Sequence, residues 1–482
     1  MSRRRKSRKA KSNNKKMFNI ITIISIIIAI VFGIMLYALG MVPEKYLLII
    51  YAVSTLLFLV LTYLVFKKNI KSGIKIFCIV LFIMFDILFG IGIKYISKTI
   101  NFVDVINNEL FQKEEFYIMV LKDSKIKELE ELSNKNIGIY SSLNSDKAIE
   151  TLGKKVKTTE KKYTDTMLMF DDLNDNKLDA VLITSSIKNL FSDELADTAS
   201  NLREIYVLSV PIKKADTEVL KVVDVTRKPF NIYVAGGDAY GSIDKVTNTD
   251  VNMIITVDPV NKKILLTSIP RDYYVNLPSF GEDAYDKLTH AGYYGIEESI
   301  KTIEKLLDID INYYVKVNFS TIEGIVDAVG GVDVESDYNF CVEGRRCFKK
   351  GINHLDGASA LTFARERHSF ADGDIQRVKN QQYVITALIN KITSSYTLVS
   401  KYSNILAAVK DSIVISMDEK SINKFVKMQL DDMTPWNMER QNLIGTGASK
   451  VTYTFPSMQL YVMLRNEESV NEAKEKIREV KR

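Results

Sequence analysis

Three long apolar runs occupy most of the first hundred residues, at roughly 17–42, 46–66 and 74–97. Each has about the twenty residues that an α-helix needs to span the hydrocarbon of a bilayer. Long runs in direct succession do not fit a cleaved signal peptide, which has a single short apolar region. We therefore predict three transmembrane helices over residues 17–97, preceded by a basic tail over residues 1–16.

The distribution of basic residues predicts the side of the membrane on which each part lies. Nine lysines and arginines lie in the tail and four lysines between 67 and 75, whereas the first loop has only Glu44 and Lys45. Basic loops stay in the cytoplasm, so three spans place everything after about residue 98 outside the cell, on a multi-pass protein of the cell membrane. Subtracting these thirteen charges from the formal net charge of +6 leaves −7 for the rest of the chain, so nucleic acid is a poor candidate partner.

The first unit after the spans, residues 98–225, is predicted to be a small accessory domain. Apolar strands at 116–120, 136–140 and 178–183 alternate with helices, including one predicted at 126–132, and this alternation favours a small parallel α/β sheet. The stretch weakly resembles one lobe of an extracellular solute-binding protein. Its charged residues form no cluster, so we expect no chemistry there.

The second unit, residues 226–482, is predicted to be the catalytic domain. Strands at 251–257 and 264–269 form a hairpin whose turn contains Asp-Pro and Asn. Further strands and helices, the longest helix at about 374–393, favour an α/β architecture in which helices flank a mixed central sheet.

Two cysteines in this unit, Cys341 and Cys347, lie close together in a polar segment. Outside the membrane, a disulfide that closes a small loop is the preferred interpretation. A metal pair would need further ligands, and His354 is the only candidate nearby.

The most informative polar stretch carries three arginines within about twenty residues, at Arg365, Arg367 and Arg377. Guanidinium groups stay protonated and bind phosphate oxygens through two parallel hydrogen bonds. On a helix that starts near Asp374, positions 374, 377 and 381 share one face, so Arg377 and Gln381 lie together at a helix N-terminus, where phosphate is favoured. We expect Arg365 and Arg367 to be extended after the preceding helix and to point to the same side.

Further charged residues join this set. Arg271 follows a core strand, where site residues commonly fall, and Asp250 begins the hairpin. Asp250 and Asp374 beside a diphosphate are what Mg²⁺ requires, namely one or two protein oxygens completed by phosphate and water. The alternative, a surface network of ion pairs with Glu366, Asp372 and Asp272, is disfavoured because separate clusters converge on one opening.

Motifs over residues 226 to about 395 resemble the catalytic domain of the LytR-CpsA-Psr family. In chain order they are "NIYVAGGDAYG", "NTDVN", "LLTSIPRDYYV", "DKLTHAGYYG", "YYVKVNFS", "VDAVGGVDV", "LDGASALTFARERHSFADGDIQR" and "NQQ". The "DAYG", "KLTHAGYYG" and "GTG" stretches, with three spans before an accessory domain, resemble its capsule-associated branch.

This resemblance implies transfer of a glycopolymer from an undecaprenyl diphosphate carrier to peptidoglycan, with a phosphodiester formed at a muramic acid hydroxyl. It implies that Mg²⁺ is held by Asp250 and Asp374, that one such acid helps deprotonate the hydroxyl, and that the polyprenyl tail lies in an apolar groove. The residues that it implies for gripping the diphosphate are Arg271, Arg365, Arg367, Arg377 and Gln381.

One departure from the family pattern concerns the residue two positions before the metal-binding aspartate. The family usually has arginine there and this chain has Asn248, with Lys245 as a candidate substitute and Ala239 and Tyr240 also differing from other branches.

Two alternative functions would use the same residues. One is a hydrolase that delivers the phosphate to water, and the other is a non-catalytic binder of lipid diphosphates that regulates capsule synthesis.

Overall fold

The structure is a computed structural model of the full chain. It describes residues 2–108, 111–142, 144–192, 195–213, 220–237, 249–344, 346–394, 397, 401–409 and 413–482. Statements below concern these residues. Asn248, Lys245, Ala239 and Tyr240 lie outside them.

The elements follow the chain in three groups. The first contains the helices α1 Ser2–Ala38, α2 Glu44–Phe66 and α3 Ser72–Asn108. The second contains β1 Phe111–Leu121, β2 Asn136–Tyr140, α4 Ser145–Gly153, β3 Thr159–Tyr163, α5 Thr166–Asn174, β4 Ala180–Thr184, α6 Ser185–Asn189, α7 Ala196–Ser200 and β5 Leu202–Lys213. The third contains β6 Phe230–Gly236, β7 Val251–Asp258, β8 Lys263–Ile269, β9 Tyr274–Asn276, β10 Tyr285–Lys287, α8 Leu288–Ala291, α9 Ile296–Leu307, β11 Tyr313–Val317, α10 Phe319–Val329, β12 Val332–Ser336, β13 Phe340–Val342, β14 Arg346–Phe348, β15 Gly351–Leu355, α11 Gly357–Arg365, α12 Asp374–Thr393, α13 Tyr402–Val409, β16 Ile413–Ile415, α14 Glu419–Asp432, β17 Asn437–Asn442, β18 Gly445–Val451, β19 Gln459–Arg465 and α15 Glu467–Val480.

Three helices among the described residues are long and apolar enough to span a membrane, over Lys16–Ala38, Glu44–Phe66 and Ser72–Ser97. They pack through a cluster that includes Phe58 and Phe82. The buried hydroxyl of Ser25 donates to Asp86 Oδ2 at 2.7 Å, which gives this intramembrane carboxyl group a partner inside the bundle.

The loop between α1 and α2 contacts α14 of the third group. Lys45 Nζ lies 3.0 Å from Asp431 Oδ1, and Lys427 Nζ lies 3.2 Å from Glu44 Oε1. Asn423 Nδ2 also donates to the carbonyl oxygen of Leu39. This loop and the third group therefore lie on the same side of the spans.

The second group forms a five-stranded sheet in the order β3-β2-β4-β1-β5. The prediction of a parallel sheet is wrong, because β1 runs antiparallel to both β4 and β5 while β2 is parallel to β3 and β4. The helix predicted at 126–132 is a single 3-10 turn, Leu129–Leu132. It stops where Asn134 takes a left-handed conformation and turns the chain into β2.

The third group is built on a six-stranded sheet in the order β16-β11-β6-β7-β8-β17. The pairs β11–β6 and β17–β8 are parallel and the others antiparallel, which confirms the predicted mixed sheet. The predicted hairpin turn is also present, because the Asp258 carboxylate accepts from the backbone N–H groups of Val260 and Asn261.

The second and third groups share one apolar core at their contact. Tyr293, Phe455 and Leu460 of the third group are buried in the same cluster as Tyr140 and Phe170 of the second. Burial of aromatic surface between two units stabilises their docking. We refer to the second group as the accessory unit.

Candidate phosphate-binding site

The ends of three strands of the central sheet, β6, β7 and β8, lie side by side at one edge of the sheet. Strand β6 ends at Gly236 opposite Val251 at the start of β7, and β8 ends at Ile269 opposite Asn252. Because neighbouring strands are antiparallel, Asp250 and Arg271 emerge at the same edge. A Cβ atom at Gly236 would lie 2.7 Å from Val251 Cβ, so the close approach of these strands requires glycine.

Asp250 and Arg271 form an ion pair in this edge. Arg271 Nη1 donates to Asp250 Oδ1 at 2.8 Å, and Arg271 Nε lies 3.6 Å from Asp272 Oδ2. Burial alone would lower the pKa of Arg271, but the carboxylates of Asp250 and Asp272 outweigh it and raise that pKa above its usual value. The guanidinium is thus held in place by carboxylates on two sides.

Helix α12 contributes a second largely buried arginine. It begins at Asp374 after Gly373, whose positive φ favours glycine. Arg377 Nη2 pairs with Asp374 Oδ1 at 2.6 Å across one turn. Burial lowers the pKa of Arg377, and the neighbouring Arg271 guanidinium also lowers it, while Asp374 opposes the shift.

The Arg377 guanidinium has one hydrogen-bond donor that no described residue satisfies. Its Nε atom is buried and has no hydrogen-bond partner in the part of the chain that the structure describes. A guanidinium stays protonated in proteins, and an unpaired buried donor is costly. An anionic oxygen in the neighbouring cavity would satisfy this donor.

Arg365 and Arg367 lie at the end of α11 and are exposed. The expectation that both are extended after the helix is wrong for Arg365, because α11 continues through Arg365 before Glu366 adopts an extended conformation. Arg367 lies beyond the end of the helix. The buried Glu366 accepts from the N–H of Ser369 at 2.7 Å. The Arg365 guanidinium lies 4.1 Å from the centroid of the Phe319 ring, and Arg367 Nε donates to His368 Nε2 at 3.3 Å.

These side chains surround a cavity of about 540 Å³. Six of the seven residues predicted for catalysis, diphosphate and metal binding line it, namely Asp250, Arg271, Arg365, Arg367, Arg377 and Gln381. Asp374 is not among the lining residues and reaches the site through its ion pair with Arg377. Lining residues that were not among the predicted site residues are Gly236, Gly237, Val251, Phe319, Val342, Glu343, Thr362, Glu366 and His368.

A short hairpin supplies Val342 and Glu343 to the outer wall of the cavity. Strands β13 and β14 pair antiparallel with Cys341 opposite Cys347, and the structure joins these cysteines in a disulfide. Phe340 anchors the hairpin against Phe363 of α11. The hairpin lies beside the arginines because it packs on α11, a helix further along the chain. No local sequence pattern predicts that packing.

The neighbouring amide Gln382 has a different place from Gln381. Gln382 is buried and its Nε2 donates to Ser268 Oγ and to the carbonyl oxygen of Gln441, both at 2.9 Å. It therefore ties α12 to β8 and β17. Gln381, one residue earlier, faces the cavity.

The donors available to a metal ion are few. Among the described residues, no group of three or more His, Cys, Asp or Glu side chains is arranged to hold a metal. Asp250 and Asp374 offer carboxylate oxygens next to Arg271 and Arg377 respectively, and both carboxylates act electrostatically on each arginine. This donor set fits Mg²⁺, which takes one or two protein carboxylates and fills its octahedron with phosphate and water.

Curated relatives of this chain include two polyisoprenyl-teichoic acid–peptidoglycan teichoic acid transferases named TagU. The one from Bacillus cereus (strain AH820) is 37% identical over 221 residues, which are 46% of this chain and 70% of the relative. The one from Enterococcus faecalis (strain ATCC 700802 / V583) is 34% identical over 225 residues, 46% of this chain and 72% of the relative.

Similar solved structures include TagV of B. subtilis, with 25% identity, 53% of this chain and 97% of that chain covered, and a TM-score of 0.45. A structure of TagT bound to LIIa-WTA has 26% identity, covers 54% of this chain and 94% of that chain, and has a TM-score of 0.42.

Two family profiles match the sequence. One, described as DNA polymerase processivity factor, covers residues 67–172, a stretch that runs from the second loop through α3 into the accessory unit and coincides with no folded unit. The other, described as the LytR_cpsA_psr family, covers residues 199–475, more than half the chain and all the cavity-lining residues. The chain belongs to the LytR-CpsA-Psr family.

Proposed function

We propose that this protein transfers a glycopolymer from a polyprenyl diphosphate carrier to peptidoglycan on the outer side of the cell membrane. The observation that carries the proposal is the single cavity in which Arg271, Arg365, Arg367 and Arg377 converge around Asp250. Such a site suits a multiply charged phosphate group. The names of the TagU relatives favour teichoic acid as the polymer.

Capsular polysaccharide is the second candidate polymer. The aligned region of the TagU relatives covers 46% of this chain, so the shared part is about the size of the catalytic unit alone. Three spans followed by an accessory unit resemble the capsule-associated branch of the family. Donors carrying each polymer, offered in parallel, would distinguish the two.

In the proposed reaction, a muramic acid hydroxyl attacks the phosphorus that bears the glycan. A phosphodiester forms, the bridging P–O bond breaks, and polyprenyl phosphate leaves with the bridging oxygen. The proton of the hydroxyl passes to a carboxylate at the site, for which Asp250 is our candidate. Positioning and charge neutralisation are the main demands of this chemistry.

We assign two different roles to the four arginines in this reaction. Arg271 and Arg377 lie deep and would bind the diphosphate oxygens, with Gln381 as an additional donor. Arg365 and Arg367 would neutralise charge that develops on the leaving phosphate. Mg²⁺, held by Asp250 and Asp374, would supply further neutralisation when bound.

The third group, which contains the cavity, lies outside the cell in this proposal. Its helix α14 contacts the loop between α1 and α2, which has few charges, while the basic tail and the second loop favour the cytoplasm. The carrier lipid and the wall acceptor would then both lie on the side of the cavity. Protease accessibility of the third group in intact cells measures this orientation.

The test incubates the full chain in detergent with Mg²⁺, peptidoglycan and a polyprenyl diphosphate glycan labelled in the sugar. Label bound covalently to peptidoglycan, and lost with Asp250→Ala, is the expected result. Label free in solution would indicate the hydrolase, and label still on lipid would indicate the non-catalytic binder. Chelation of divalent cations with and without added Mg²⁺ tests the metal.

A further inference from the structure

One short segment lies between the cavity and the accessory unit. It runs from Asp286 to Tyr294 and contains the end of β10, helix α8 and a 3-10 turn at Gly292–Tyr294. We call it the bridge segment. None of the residues assigned to the proposed reaction lies within it.

The first face of the bridge segment holds the backbone of the site. The N–H of Thr289 donates to the carbonyl oxygen of Arg271 at 2.8 Å, and the N–H of Thr249 donates to the carbonyl oxygen of Thr289 at 3.4 Å. One residue therefore contacts both the backbone of Arg271 and the residue that precedes Asp250. A displacement of Thr289 would move both members of the ion pair.

An ionic contact reinforces this face. Lys287 is buried, and its Nζ lies 3.5 Å from Asp272 Oδ1, while Asp272 Oδ2 lies 3.6 Å from Arg271 Nε. Buried charges depend on their partners, because an unpaired one is costly. The orientation of the Arg271 guanidinium is thus linked to the bridge segment through Asp272.

The second face of the bridge segment is a buried hydrogen-bonded cluster. Asp286 Oδ1 lies 2.5 Å from His290 Nδ1, and Asp286 Oδ2 accepts from the N–H of Thr454 at 2.7 Å and from its hydroxyl at 2.5 Å. The Tyr294 hydroxyl lies 3.0 Å from Thr454 Oγ1. Apart from His290 Nε2, which is buried without a hydrogen-bond partner in the described part of the chain, these polar atoms are paired. Paired buried networks tolerate little displacement.

The accessory unit completes that cluster. Tyr140, at the end of β2, and Tyr294 pack in one cluster, where their hydroxyl groups interact, and burial raises the pKa of Tyr140 to about 12, so it stays neutral. Tyr293 is buried in the apolar core of the accessory unit. Ser457 also donates to Asp165 of the accessory unit at the same contact.

We propose that the bridge segment is a positioning element through which the docked accessory unit holds Asp250 and Arg271 in place to bind a diphosphate. The inference rests on the proposed function of the cavity. It gives the accessory unit a role in the reaction although none of its described residues lines the cavity. Because coupling between two sites is reciprocal, a diphosphate in the cavity will in turn tighten docking of the accessory unit.

The test compares two tyrosine variants of the full chain in detergent, Tyr140→Phe and Tyr163→Phe. Both tyrosines are buried in the accessory unit, but the Tyr163 hydroxyl donates to Asp172 within that unit and so serves as the matched control. The readouts are titration with geranyl diphosphate and amide hydrogen exchange. We expect Tyr140→Phe to weaken binding about fivefold, the low end of coupling between sites, and to speed exchange in peptides covering 249–250 and 286–294. Tyr163→Phe should match the wild type in both.

Ser457→Ala provides a second route, because it removes a polar contact at the same interface without touching the bridge segment. The inference is overturned if Tyr140→Phe and Ser457→Ala both match Tyr163→Phe in binding and in exchange at 249–250. A wild type that binds geranyl diphosphate but transfers no label contradicts only the proposed function. If the wild type does not bind geranyl diphosphate, the comparison of amide hydrogen exchange among the variants still tests the inference, because it needs no ligand.

Discussion

The two walls of the cavity hold the same residue type in different environments. The deep wall, formed by Asp250, Arg271 and Arg377, is largely buried, with side chains 14%, 24% and 14% exposed. The outer wall, formed by Arg365, Arg367 and the disulfide hairpin, is open to solvent. Carboxylates fix the deep guanidinium groups, whereas an aromatic face and a histidine contact the outer ones.

This difference separates two tasks that arginine performs in phosphate chemistry. A buried guanidinium in a fixed ion pair loses little conformational entropy when a ligand arrives, so the deep wall suits binding of the donor. An exposed arginine can follow charge as it develops, so the outer wall suits stabilisation of the transition state. The following predictions test this division, from the largest expected effect to the smallest.

The largest effect is expected from Arg271→Ala in the deep wall. Donor affinity should fall by about 2 to 5 kcal/mol, because Asp250 and Asp272 stay largely buried after their cation is lost. The melting temperature should fall as well. Arg271→Lys should recover part of the stability but little of the affinity, since lysine lacks the planar fork. Calorimetric titration with geranyl diphosphate and thermal melts measure both, and wild-type affinity in Arg271→Ala would contradict the role of the deep wall.

Arg365→Ala and Arg367→Ala in the outer wall should abolish measurable transfer while the protein stays folded. Removing one electrostatic stabiliser costs about 10²- to 10³-fold in rate, whereas exposed substitutions change stability by about 0.5 kcal/mol or less. Single-turnover transfer rates and melting curves are the measurements. Arg440→Ala is the matched control, because Arg440 is an exposed arginine 4.5 Å from the ring centroid of Tyr383, outside the cavity. Wild-type transfer rates in both outer-wall variants would contradict the role of Arg365 and Arg367 in stabilising the transition state.

A smaller effect is expected when the disulfide is removed by Cys341→Ser together with Cys347→Ser. Such a short closed loop contributes about 2 kcal/mol on the chain-entropy account, and the loss should appear locally, since Phe340 still anchors the hairpin base. We expect transfer to fall less than tenfold and exchange to rise in peptides covering 340–348. Unchanged exchange there would show that packing alone holds the outer wall.

The smallest effect is expected from salt. Exposed charges are screened beyond a Debye length of about 10 Å at 0.1 M salt, and buried pairs are screened much less. Raising ionic strength should therefore reduce the transfer rate of the wild type by severalfold and leave the Arg271–Asp250 pair intact. Because Arg365→Ala should transfer nothing measurable, the comparison is the salt dependence of geranyl diphosphate affinity in Arg365→Ala against that in Arg440→Ala. Equal slopes would show that Arg365 contributes no salt-screened interaction with the diphosphate.

Parts of the fold with strong local signals were predictable. The helix predicted at about 374–393 matches α12, because its apolar spacing, the preceding glycine and its length all agree. The β7–β8 hairpin likewise follows from two apolar runs and an aspartate at the turn. The direction of β1 was not predictable, since hydrophobic alternation is the same in parallel and antiparallel strands.

The site itself divides in the same way. Arg365, Arg367 and Arg377 were found because they cluster within one stretch of chain, and Asp250 and Arg271 because each lies at the end of a predicted core strand. The contribution of Glu343 was missed because it depends on how the hairpin packs on α11. Gln381 and Gln382 are adjacent in the sequence, yet only their helical phase separates a cavity residue from a tie between α12 and the sheet.

The sequence by itself determined the three apolar spans, the asymmetry of basic charge around them, the mixed α/β character of the chain that follows and six of the residues that line the arginine-rich cavity. These features depend on composition and on periodicity over a few turns of chain, which neighbouring residues already specify. Only the tertiary structure decided which arginines are buried against carboxylates, where the disulfide hairpin lies, and that the bridge segment joins the accessory unit to Asp250 and Arg271. Many of those contacts join residues far apart in the sequence, such as Arg271 with Asp250 and Phe340 with Phe363, and burial arises only after the chain has packed.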